Sequence, residues 1–194
     1  MQRKIKIIIF FIASFVLVGC KEKNALKIKK EDNNICSNIF LSEYKESKQN
    51  FGCATYSFEG LKNNTKINIS LKKYSDGKIR TIFSSQSIDV NKNEKVVFML
   101  DEKSFFAYKY DIDSISKSIH CEFESSLNRK DLNSWYWIDE GNITSKNDFV
   151  IFSSFSGDGS TLPTPDLNLI NVEEWVGRHK EITGLFLELN ISYN

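Results

Sequence analysis

The chain has 194 residues, 26 of them basic and 25 acidic, with 41% hydrophobic and 13% aromatic side chains. That length fits one domain with a sizeable core. The near balance of charge leaves no cationic excess to neutralise phosphates, so nucleic acid is not an expected partner.

Arg3, Lys4 and Lys6 form a positive head, and an apolar run from Ile7 to Val18 follows it. As a helix those residues cover roughly 18 Å of a hydrocarbon layer about 30 Å thick, too little for a stable span. The run reads as the core of a signal peptide. Its end, Leu17-Val18-Gly19-Cys20, resembles the lipobox of bacterial lipoproteins. That resemblance implies cleavage before Cys20, diacylglycerol on its sulfur and a fatty acyl chain such as palmitate on its amine. One chain holds a protein marginally, whereas two or three hold it stably. The alternative is ordinary secretory cleavage nearby, with Cys20 left free to form a bridge. Lys21, where an Asp would retain a lipoprotein in the inner membrane, implies an outer-membrane anchor facing the periplasm. Residues 1–19 take three basic side chains and no acids, leaving 23 against 25, or minus two.

Residues 20–33 carry many charges and few apolar groups, and read as a lipid-anchored tether reaching up to roughly 45 Å. Residues 34–194 read as a single β-rich domain. Ile35, Ile39, Phe40 and Tyr44 recur at helical spacing between Asn34 and Gln49, predicting a first helix. Alternation predicts strands over Ala54–Glu59, Thr65–Lys73 and Lys78–Ile88, with Ser75-Asp76-Gly77-Lys78 as a hairpin turn. Lys95–Leu100 and Ser104–Tyr110 are apolar on both faces and predict central strands. Ser118–Glu124, Leu132–Ile138 and Asp148–Phe155 are predicted strands as well. Asn171 and Glu174 form a capping box, so a second helix is expected over Val172–Lys180, with His179 at its negative end. The last strand places Leu185, Leu187, Leu189, Ile191 and Tyr193 on one face and Glu188, Asn190 and Ser192 on the other. The fold class is therefore mainly β, an antiparallel sheet or sandwich of eight or nine strands with a short helix near each end.

With Cys20 lipidated, Cys36, Cys53 and Cys121 remain, and an oxidising periplasm favours one bridge among them. Cys36 and Cys53 sit near the two ends of the first helix and are the expected pair, while Cys121 faces inward as a buried thiol. His120, Glu122 and Glu124 share a strand face, a geometry open to metal binding or acid–base work. An exposed polar face is the preferred reading, with no metal, cofactor or catalytic group assigned. Gly157-Asp158-Gly159-Ser160 is a glycine-rich turn, and Asp158 and Asp166 lack the oxygen spacing of a calcium loop. Trp135, Tyr136 and Trp137 are the aromatic cluster that alternation cannot wholly bury. These three aromatics, with Asp158 and Asp166, are the candidate binding residues.

The expectation is a non-enzymatic, protein-binding lipoprotein. By architectural analogy it acts as an immunity or inhibitor protein against a toxin or lytic enzyme in the periplasm. The alternatives are an envelope-assembly lipoprotein and, further off, a small hydrolase using His120.

Overall fold

A computed structural model describes residues 25–32, 35–36, 39, 50–62, 65–101, 103–111, 114–123, 134–143, 148–156 and 172–193. The strands are β1 (Leu26–Lys30), β2 (Asn50–Glu59), β3 (Thr65–Ser75), β4 (Lys78–Val90), β5 (Lys95–Asp101), β6 (Ser104–Asp111), β7 (Ser114–Glu122), β8 (Ser134–Trp137), β9 (Glu140–Ile143), β10 (Phe149–Ser156) and β11 (Thr183–Tyr193). Helix α1 spans Val172–Arg178. The strands pair antiparallel in two sheets, a six-stranded one ordered β7-β6-β5-β2-β1-β9 and a five-stranded one ordered β4-β3-β11-β10-β8. Their facing surfaces interdigitate through Tyr56, Phe98 and Phe105 of one sheet and Ile69, Phe152 and Leu187 of the other. This is a β-sandwich, as the alternation predicts.

Two outer faces carry smaller cores. Ile35, Cys36 and Ile39 are helical and pack with Val97, Met99, Phe106 and Tyr108 on the outer face of the six-stranded sheet. That is why β5 is apolar on both faces: Phe98 points between the sheets and Val97 and Met99 point under the helical turn. A disulfide joins Cys36 to Cys53, with their Cα atoms 5.8 Å apart, and fastens this turn to β2. Closing a loop over a separation of 17 residues contributes about 3 kcal/mol through the unfolded chain. Replacing both cysteines with serine is expected to lower the unfolding free energy from urea titration by about that amount, and an unchanged value contradicts it. On the other sheet, α1 lays Val176 and Trp175 over Tyr74, Phe155 and Phe186. The Tyr74 hydroxyl donates to the Val176 carbonyl at 2.8 Å, and burial raises its pKa.

The turn between β3 and β4 has positive φ at Asp76 (53°) and Gly77 (70°), the backbone of a two-residue hairpin turn matched to strand twist. A Cβ on Gly77 would meet only the exposed Lys180 side chain, at 2.9 Å from Cγ, so it is the positive φ that calls for glycine here.

The structure corrects the N-terminal boundary. Residues 26–30 are a strand in the interior of the six-stranded sheet, between β2 and β9, with Leu26 and Ile28 1% and 0% exposed. The domain therefore starts at Leu26, not at residue 34. The lysines at 27 and 29 mark the solvent face of an alternating strand, not a solvated linker. With the four-residue β9, this raises the strands from the nine predicted segments to eleven among the described residues. β11 is likewise covered on both faces, because Phe186 lies under α1 and Glu188 is buried beyond it.

Candidate functional site

The chain changes sheets at Ile138 and Asp139, and this corner gathers the candidate surface. β8 pairs with β10 at the end of the five-stranded sheet, with Trp137 opposite Phe152 and Tyr136 opposite Ser153. β9 then pairs with β1. The corner is held by backbone bonds from Ile138 N to Ile151 O (3.0 Å) and from Lys30 N to Asp139 O (2.7 Å). The Tyr56 hydroxyl, reaching from β2, donates to the Ile138 carbonyl at 2.8 Å. Burial, then the nearby charge of Asp139 and the Tyr136 phenol, pushes the Tyr56 pKa far above its usual value, so this anchor stays protonated.

Alternation across β8 separates the predicted aromatics. Trp137 turns between the sheets, 8% exposed, with its ring 4.7 Å from Phe152 and 6.4 Å from Tyr56. Its indole nitrogen lies against Gly52, where a Cβ would come within 3.0 Å of it. Gly52 sits at an irregularity of β2 with φ of 123°, a conformation that glycine tolerates. Trp137 is therefore a core residue and leaves the candidate surface. Tyr136 takes the opposite direction and is 45% exposed. Lys30 pairs with Asp139 at the corner itself at 3.3 Å, and Lys27 pairs with Glu140 on the outer face of the six-stranded sheet at 3.8 Å. Trp135 belongs to β8 and pairs with Ser154, but its side chain is outside the described residues. Asp158 and Asp166, with the loop 157–165, also lie outside them.

The histidines occupy other places. His120 stacks on Phe106 with ring centres 4.4 Å apart and planes 8° from parallel, and its Nε2 is 3.7 Å from Glu122. Glu124 lies outside the described residues, which contain no group of three or more metal-ligating side chains. His179 packs on Trp175 at 4.7 Å beyond the end of α1. Cys121 is half-buried and not in a disulfide, and desolvation raises its pKa, keeping the thiol in its less reactive protonated form.

A polar cluster that no sequence motif marks lies on the outer face of the five-stranded sheet. Glu188 is 4% exposed and meets Lys72 Nζ at 2.5 Å and Ser70 Oγ at 3.5 Å. Lys72 also reaches Asp148 at 3.4 Å, and Asn190 donates to Asp148 at 3.1 Å. Burial raises the Glu188 pKa despite Lys72. Burial opposes the charge on Lys72, but its two acids outweigh that and raise its pKa too. The one signal for this cluster was an acid between apolar neighbours in Leu185-Phe186-Leu187-Glu188-Leu189.

The chain matches no protein-family model, no curated protein and no solved structure.

Proposed function

We propose that this chain is a lipid-anchored envelope protein whose sandwich binds another protein through the β8–β9 corner, as a non-catalytic immunity or inhibitor protein acting in the periplasm. The observation that carries the binding part is Tyr136, an exposed aromatic on an edge strand, close in sequence to the Lys30–Asp139 pair at the corner. An exposed aromatic with a polar tip is a common anchor of an interface hot spot.

The other sheet edges support the choice of this one. β4 has two register irregularities and carries Lys78, Arg80 and Asp89. β7 is irregular between its partners Ala107 and Tyr108, and its Lys117 lies over the Phe106 and Tyr108 rings at 5.1 and 5.7 Å. β9 is short and bears Glu140. Charges and bulges are the devices that keep edges from recruiting strands. β8, Ser134-Trp135-Tyr136-Trp137, has neither a charge nor an irregularity against β10.

Affinity capture from an envelope extract, with the chain from Lys21 onward as bait, tests the reading. One soluble partner, lost on Tyr136→Ala, is the expected result. Capture of integral membrane proteins instead supports the envelope-assembly alternative, and capture unchanged by Tyr136→Ala contradicts the assigned surface. The anchor has its own test: labelled fatty acid is expected on the wild-type chain and absent from Cys20→Ser, which should leave the membrane fraction. Equal partitioning of the two, with no label on either, contradicts it.

A further inference from the structure

The corrected boundary shortens the anchor. Only residues 20–25 lie between the proposed lipid and β1, and fully extended they reach roughly 20 Å. β4 alone, Lys78–Val90, is about 40 Å long. The tether is thus shorter than the domain, and the end at which the chain enters is held near the bilayer.

That end is identifiable from the pairings. Leu26 lies opposite Ile143, Lys27 opposite Glu59, Thr65 opposite Val90 and Lys95 opposite Tyr110. A Cβ on Gly60 would sit 3.5 Å from the Ala25 carbonyl oxygen, so Gly60 is beside the entering chain. Here a cleft of about 710 Å³ opens between Phe58, Glu59 and Leu61 on one side and Lys92, Glu94 and Lys95 on the other. Lys92 is exposed and has no acidic partner among the described residues, whereas Lys95 is paired with Glu31 at 3.0 Å. Ile115, 48% exposed, lies near the turn-proximal start of β7 at this same end, opposite Tyr110. Tyr136 is well removed, since it aligns through Ser153 and Phe186 with Lys72, roughly 20 Å along β3 from Thr65.

We infer that this end of the sandwich, with the cleft between Gly60–Leu61 and Lys92–Lys95, rests on the phospholipid headgroups of the anchoring bilayer, leaving the Tyr136 corner facing away. The inference rests on lipidation of Cys20. The short tether sets this orientation; the surface itself is of mixed charge, Lys92 against Glu59, beside the exposed Ile115 and half-buried Leu61, which suits zwitterionic headgroups over acyl chains.

Lys78 and Lys92 lie just at and beyond the two ends of β4, both exposed, and form a matched pair of probe sites. In a Cys121→Ser background, the lipidated full chain is given one fluorophore at Lys92→Cys or Lys78→Cys. It is then reconstituted in phosphatidylethanolamine–phosphatidylglycerol vesicles with a headgroup acceptor. Energy transfer at position 92 is expected to exceed that at 78 roughly threefold or more, given their separation. Equal transfer, or more at 78, from a chain that floats with the vesicles overturns the inference while the anchor stands. A chain that does not float, and behaves like Cys20→Ser, overturns the anchor and the inference together.

Discussion

A chain that begins at Asn33 is expected not to fold, whereas one that begins at Lys23 keeps full stability. The difference is β1, which fills the place between β2 and β9. Without it β9 loses its sheet partner, and the bonds from Lys30 N to Asp139 O and from Glu31 N to Thr55 O disappear. Leu26 and Ile28 leave the core as well. Removing either side chain alone down to Ala costs about 2–5 kcal/mol, and the whole stability of a domain this size is about 5–15 kcal/mol. The single substitution Ile28→Ala should cost about 3 kcal/mol, a fall in Tm of roughly 6–12 °C. A cooperative, wild-type melt by circular dichroism from the chain starting at Asn33 contradicts this; so does an unchanged Tm for Ile28→Ala.

Lys72→Met is expected to destabilise far more than Glu188→Gln. Removing Lys72 leaves a carboxylate that is 4% exposed without its counter-ion, next to Asp148. Breaking a fully buried pair costs about 3–5 kcal/mol. Lys72 retains partial access to water, so about 2–3 kcal/mol is expected here. Glu188→Gln keeps the shape, removes the desolvated charge and leaves Lys72 its contact with Asp148. The pH dependence follows from the raised pKa of Glu188. The folded state holds that proton more tightly than the unfolded chain, so this group's contribution is complete below about pH 4.5 and is lost as pH rises through the folded value. Thermal melts from pH 4 to 8 should show Glu188→Gln gaining on wild type as pH rises. A constant difference across that range contradicts the assignment, as does a Lys72→Met variant as stable as Glu188→Gln.

The same residues show what a sequence discloses and what it hides. Alternation places β3, β4 and the long last strand, and runs apolar on both faces place β5 and β6, which pack between the sheets on one side and against Ile35 and Ile39 on the other. β1 obeys the same alternation, but only Leu26 and Ile28 carry it, and five nearby lysines gave the segment the composition of a linker. What makes it a strand is the gap between β2 and β9, which is a tertiary fact. The Cys36–Cys53 bridge is readable because the helical spacing of Ile35, Ile39, Phe40 and Tyr44 predicts a helix with one cysteine near each end. At the candidate surface, alternation put Tyr136 opposite Trp137, but could not tell which of them faces the second sheet. That depends on the corner at Ile138 and the room beside Gly52. Glu188 was read as outward because alternation reports which residues share a face, not what covers it.

Photo-crosslinking in the native cells decides whether the Tyr136 corner binds a partner, with a photoreactive phenylalanine at Tyr136 and, as control, at Arg80 on the opposite edge strand β4. One discrete crosslinked product with a periplasmic protein is expected from position 136, recovered in the membrane fraction, and none from position 80. The same products from both positions, or none from 136, would contradict the assigned surface.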